Sequence, residues 1–191
     1  MLLSCRIIMA LLALLGAEPI DPTTTPTTKP AVTRSEDGTV EITVPHGWKV
    51  ITDQRAEGDQ IFIGYPAMRY SCRIKTFMKE DMAGTTLADY EARVCQNLQG
   101  HMTDTEVGEP KEIQVGNNRA LQREVRGVQV EVRWVYQCTV METPKLFICV
   151  YCCTVPSKFA RAQASFNQIV MSVRDTSHEA DQNAEKPASG K

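Results

Sequence analysis

The stretch Lys145-Leu146-Phe147-Ile148-Cys149-Val150-Tyr151-Cys152-Cys153-Thr154-Val155 decides how this chain folds. In a strand, successive side chains point to opposite faces. Leu146, Ile148, Val150 and Cys152 therefore fall on one side, and Phe147, Cys149, Tyr151 and Cys153 on the other. A strand that is apolar on both faces is covered on both faces, so it belongs inside a sheet with a layer of chain above and below it. Before it, Val130, Val132, Trp134, Tyr136, Cys138 and Val140 alternate with Glu131, Arg133, Gln137 and Thr139, which predicts a strand over residues 129–141 with one buried face. After it, Pro156 and Ser157 open a helix whose Phe159, Ala162, Phe166, Ile169, Val170 and Val173 form a continuous apolar stripe. That helix is one of the two layers.

The other layer comes from mid-chain. Thr85 or Thr86 caps a helix in which Leu87, Tyr90, Val94 and Leu98 recur at three- and four-residue steps and Gly100 is the stop. Residues 60–64 and 70–78 read as strands joined at Tyr65-Pro66-Ala67. In the second, Cys72, Ile74, Thr76 and Met78 share a face, and Arg73 and Lys75 take the face toward solvent. Residues 112–115 form a strand ending in the turn Gly116-Asn117-Asn118, and residues 120–126 form another, set off from residues 129–141 by Gly127. At the start of this region Val40, Ile42 and Val44 alternate and then stop. Pro45 removes a ladder donor, Gly47 permits the bend, and Trp48 is delivered as a large apolar anchor.

The Val-Pro-x-Gly-Trp strand end, the mid-chain amphipathic helix, the Gly/Asn turn, the meander with a doubly apolar last strand, and the terminal helix ending Phe166-x-x-Ile169-Val170-x-Ser172-Val173 together resemble the PsbP-like family over residues 39–174. This fold is shared with the Ran-binding Mog-type factor and many exported bacterial proteins. The resemblance implies an α+β domain, an antiparallel sheet of about six strands with helices on both faces, arranged as an α/β/α sandwich. It also implies binding, assembly or accessory roles, and no catalytic residues to carry over. The cysteine content departs from the family pattern.

Outside that domain, residues 1–17 read as a signal peptide. Arg6 precedes a nine-residue apolar run at 7–15, too short to span a bilayer, with Gly16-Ala17 as a cleavage site. Export to the periplasm or secretion follows; an uncleaved, membrane-anchoring N-terminal segment is the minority reading. Residues 18–38, rich in Pro and Thr, and residues 175–191, polar throughout, are expected to be a disordered linker and tail. After cleavage no integral membrane span is expected.

The chemistry is sparse. The formal net charge is −2, and no Lys/Arg cluster is interleaved with aromatics, so nucleic acid is not an expected partner. Of the seven cysteines, all but Cys5 outlast signal cleavage. With the hairpin centred between Thr143 and Pro144, Cys138 falls opposite Cys149, a geometry that a disulfide can bridge; buried free cysteines are the alternative. Cys149-x-x-Cys152 matches a redox motif in spacing, but such motifs work at a helix N-terminus, and residues three apart on a strand face opposite ways. His46, His101 and His178 are scattered, so no metal site is expected, and no cofactor loop or nucleophile elbow is present. The chain is therefore expected not to be an enzyme. Trp48, Trp134, Tyr136 and Tyr151 are core residues unless the helices stand off from the sheet, in which case they would line a gap. Two functions follow: an exported accessory protein presenting a sheet face or helix–sheet groove to a protein partner, or a carrier of a small apolar, lipid-like ligand in an aromatic-lined interior.

Overall fold

A computed structural model describes residues 30–53, 56 and 58–178. The expected signal peptide lies outside these residues, as do most of the expected linker and tail. Among these residues, eleven strands and two α-helices follow one another. They are β1 (Ala31–Arg34), β2 (Val40–Val44), β3 (Lys49–Val50), β4 (Ile61–Tyr65), β5 (Tyr70–Met78), α1 (Leu87–Gln99), β6 (Thr103–Val107), β7 (Lys111–Val115), β8 (Asn118–Gln129), β9 (Val132–Glu142), β10 (Leu146–Thr154), α2 (Pro156–Met171) and β11 (Arg174–Asp175). The main sheet has eight strands in the order β3-β4-β5-β10-β9-β8-β6, with β7 pairing the other end of β8; β1, β2 and β11 form a separate three-stranded sheet. All pairings are antiparallel.

The layering follows from β10. Its Leu146, Ile148, Val150 and Cys152 join Val135 and Met141 of β9, Cys72 and Ile74 of β5, and Phe159, Ala162, Phe166, Ile169 and Val170 of α2 in the larger core. Phe147 and Cys149 join Val140 of β9 and Leu87, Tyr90 and Val94 of α1 on the opposite face. Ile148 and Phe147 are both 0% exposed, as a sheet covered on both sides requires. Burying a side chain of this size contributes about 1.5–3 kcal/mol, so the β10 stretch is the energetic centre of the domain.

α1 begins where the sequence places it. Thr86 Oγ1 accepts from Asp89 N (3.2 Å), and the Asp89 carboxylate accepts from Thr86 N (3.1 Å) and Thr86 Oγ1 (2.6 Å), a reciprocal capping box. α2 begins with Pro156 in its first turn, where the missing N–H costs nothing.

Three expectations need correction. The strand count exceeds about six because β1, β3, β6 and β11 are short or exposed and leave no apolar period. The fold also extends past residues 39–174: β1 pairs with β2, Ser35 Oγ accepts from Val40 N (3.1 Å), and Thr176 and Ser177 are buried beyond β11. Gly127 is not a break either. It sits within β8 opposite Trp134, and a Cβ there would meet Met102 Sδ at 2.8 Å, so its role is close approach. The chain reverses instead at Val130 (φ 49°) and Glu131 (φ 61°), two non-glycine residues in the left-handed region.

Candidate functional site

The register of the β9–β10 hairpin fixes the cysteines. Thr143 N donates to Leu146 O (2.9 Å) and Leu146 N to Thr143 Oγ1 (3.0 Å), which places Pro144 and Lys145 at the tip. Cys149 thereby faces Val140, and Cys138 faces Tyr151. The expected direct opposition of Cys138 and Cys149 is corrected: they share a face as diagonal neighbours, and all six described cysteines, Cys72 and Cys152 included, are unbridged in this structure. Cys149 and Cys152 lie on opposite faces, one in the α1 cluster and one in the α2 cluster.

Burial pushes the Cys95 thiol up to about 12, reinforced by the hydrogen bond it donates to Glu91 Oε1 (3.1 Å). Burial likewise pushes Cys149 up to about 12, although a contact with the Tyr90 hydroxyl (3.5 Å) opposes it. Cys153 rises to about 11 through burial, against the Ser71 hydroxyl at 3.0 Å. A thiol nucleophile needs the opposite displacement; burial here favours the protonated form at neutral pH.

The four aromatics singled out from the sequence do not line one space. Trp48 is packed between Tyr70 (centroids 6.1 Å apart) and Phe166 (6.2 Å) on the α2 side, with Tyr65 at 6.4 Å. Trp134, Tyr136 and Tyr151 are half-buried, and their strand positions put them on the other face, where Tyr136 donates to Gln129 Oε1 at 3.2 Å. Beside Tyr151 on that face lies Arg73, stacked 3.8 Å over the Phe62 ring and paired with the buried Asp59, which Lys75 also approaches at 3.5 Å. Further along, Arg123 of β8 meets Glu91 of α1 at 2.7 Å, joining helix to sheet. The three histidines are exposed and apart. Among the described residues, no group of three or more His, Cys, Asp or Glu converges on a metal-sized space.

One concavity of the structure lies at the far end of β5. An open cleft of about 290 Å³ is lined by Asp37 and Thr39, Gln60, Thr76, Phe77 and Met78, Asp81 and Met82, and Leu146. Phe77 is 41% and Met78 37% exposed, large apolar surface left in water. Tyr90 of α1 meets the Phe77 ring edge at 5.5 Å and stacks on Phe147 at 4.7 Å, so the cleft joins the helix–sheet seam. Asp37 supplies fixed charge at its rim. Burial opposes ionisation there, but hydrogen bonds from Ser35 Oγ (2.6 Å), Thr39 N (3.0 Å) and Thr39 Oγ1 (2.8 Å) outweigh it and hold the carboxyl below its ordinary value. The sequence carried one signal for this site: Phe77 is in phase with Arg73 and Lys75, an apolar residue on a polar face.

No protein-family model matches this chain, and no curated protein matches it in sequence. Solved structures match it in fold. The cyanobacterial PsbP protein CyanoP of Synechocystis sp. PCC 6803 aligns at a TM-score of 0.58 and 11% identity, over 84% of this chain and 98% of its own. The Ran-binding protein Mog1p of Saccharomyces cerevisiae aligns at 0.57 and 11%, over 81% and 99%. LpqN of Mycobacterium tuberculosis, involved in cell envelope biogenesis, aligns at 0.50 and 10%, over 80% and 90%. At such identities the likeness concerns the backbone alone, and with the two-helix, antiparallel-sheet architecture described above it identifies the fold as PsbP-like.

Proposed function

We propose that the protein is an exported, non-catalytic binding or accessory protein that engages a protein partner at the cleft beside Phe77 and Met78. The observation that carries this reading is the pair of exposed apolar side chains lining one cleft, Phe77 against Tyr90 of α1 and Met78 beside it, rimmed by Asp37 and Asp81. Such a patch suits a partner that brings an apolar side chain flanked by basic ones. Export rests on the apolar run at residues 7–15. The Ran-binding activity of Mog1p is a precedent for protein recognition on this fold. The lipid-carrier alternative draws less support, because Trp48, Tyr65, Tyr70, Phe159 and Phe166 fill the α2-side interior with their rings in mutual contact.

The test is site-specific photo-crosslinking in the native cell envelope from position 77, and from position 171 as control, since Met171 is 56% exposed on α2. One protein species captured from position 77 and absent from position 171 supports the reading. Equal capture from both positions, or co-purifying lipid with no protein adduct, contradicts it.

A further inference from the structure

The β5–β10 register brings two cysteines directly opposite each other: Cys72 pairs with Cys152 across the middle of the sheet. Their sulfurs lie 2.9 Å apart, inside the roughly 3.5–4.0 Å at which even carbon atoms pack. Directly opposed antiparallel residues have Cα atoms about 4.5–5.5 Å apart, within the span a disulfide bridges. Both side chains are 0% exposed and point into the core beneath α2. Among the described residues no other cysteine sulfur competes for either. Cys153 points to the opposite face, against Ser71 Oγ, and Cys95, Cys138 and Cys149 lie in the clusters under α1.

We propose that Cys72 and Cys152 form an intramolecular disulfide that joins β5 to β10 and closes a loop between residues 80 positions apart. The chemistry is thiol–disulfide exchange with a disulfide donor, either a small molecule or an oxidised protein dithiol. One cysteine thiolate attacks the donor, forming a mixed disulfide and releasing one donor thiol. The second cysteine then attacks the mixed disulfide and releases the other. The two cysteines thus lose two electrons and two protons, and the donor's S–S bond becomes two thiols. Because both sulfurs are sealed in the folded core, exchange takes place during folding or local opening, and once made, the bond is out of reach of reductants in solution. The bond's occurrence in the cell rests on the export proposed above, whereas the pairing itself does not.

The test uses the full chain, refolded in parallel in a glutathione redox buffer and in dithiothreitol, then alkylated in denaturant and digested with trypsin. The oxidised sample should contain residues 70–73 linked to residues 146–158, with fragmentation placing the link at Cys152. Two of the seven cysteines should escape alkylation. The oxidised protein should melt roughly 10 °C above the reduced one. Cys153→Ala should keep both the link and the shift, and Cys72→Ala should lose both. Alkylation of Cys72 in the oxidised wild type, or a link from Cys72 to Cys149 or Cys153, overturns the pairing whether or not any variant folds. Failure of the full chain to reach an oxidising compartment would overturn the export reading while leaving a mapped Cys72–Cys152 bond intact.

Discussion

At the scale of single residues, the seam between α1 and the sheet depends on Glu91, a carboxylate only 3% exposed whose charge is matched by Arg123 of β8 at 2.7 Å. Removing one member of a buried pair leaves the other charge uncompensated. Arg123 retains 20% of its exposure, so the full cost of an isolated buried charge does not apply, and Glu91→Gln should destabilise by about 2–3 kcal/mol, read as a lower urea midpoint. Phe77 is the counter-case. It is 41% exposed and keeps only an edge contact with Tyr90, so Phe77→Ser should cost about 1–2 kcal/mol of stability, well below the about 3–5 kcal/mol of a core phenylalanine, while abolishing capture of the partner. A large loss of stability in Phe77→Ser would mean that the ring is core and that the cleft is not a docking site.

At the scale of elements, the β8–β9 turn stores a conformational cost. Val130 and Glu131 both sit at positive φ, which is unfavourable by about 1–2 kcal/mol for each L-residue and worst for a β-branched one. Replacing the pair with Asn-Gly, which adopts this turn freely, should raise stability by about 1–2 kcal/mol. Gly127→Ala, three residues earlier, should lower it by about 2 kcal/mol, because the new Cβ collides with Met102 and with Thr103 O at 3.1 Å. Had the chain turned at Gly127, these two signs would be reversed; differential scanning calorimetry of both variants distinguishes the cases. This turn also marks the limit of what the sequence disclosed. Where burial imposes a period, as in β10 and both helices, the pattern located the elements and their faces; in β9 it missed that Val135, Gln137, Thr139 and Met141, on the face read as open, are buried as well, and in β5 it set Arg73 and Lys75 toward solvent although both are half-buried against Asp59. Where a turn is made by residues with no turn preference, or a strand such as β6 (Thr-Asp-Thr-Glu-Val) lies exposed at an edge, composition carries no trace of it. The cysteine pairing failed for the same reason: moving the hairpin centre from before Pro144 to after it shifts every opposite partner by two, and nothing in Thr143-Pro144-Lys145 favours one centre over the other. The cleft was missed because its walls come from four separated segments, and only Phe77 carried a local anomaly.

At the scale of the whole molecule, the fold is closed by its ends. β1 and β11 flank β2, and Thr176 Oγ1 donates to Gly38 O at 2.6 Å. A chain starting at Thr39 should therefore be less stable than one starting at Pro30 by about 1–3 kcal/mol, seen as a lower melting temperature. The cysteines make a second whole-molecule property, the dependence of stability on pH. In the reduced protein, burial raises the thiols of Cys95, Cys138, Cys149, Cys152 and Cys153 above the ordinary value of 9.0. Below pH 8 these groups are protonated in both folded and unfolded chains and contribute no pH dependence. Above about pH 9 the unfolded chain loses thiol protons that the folded chain keeps until pH 11 or 12, so the unfolded state binds fewer protons and stability falls as pH rises. Each such thiol contributes about 1.4 kcal/mol per pH unit in that window. Urea unfolding followed by tryptophan fluorescence in dithiothreitol should thus give a flat midpoint from pH 6 to 8 and a steep decline above pH 9. Cys149→Ala should make that decline shallower, because one buried thiol no longer titrates. The oxidised protein should also decline less steeply, since Cys152 no longer carries a proton to lose. A midpoint that instead fell on acidification through pH 7 to 5, and recovered in Cys149→Ala or Cys153→Ala, would mean that one of these sulfurs is a stabilised thiolate, and the non-catalytic reading of the cysteines would then be wrong.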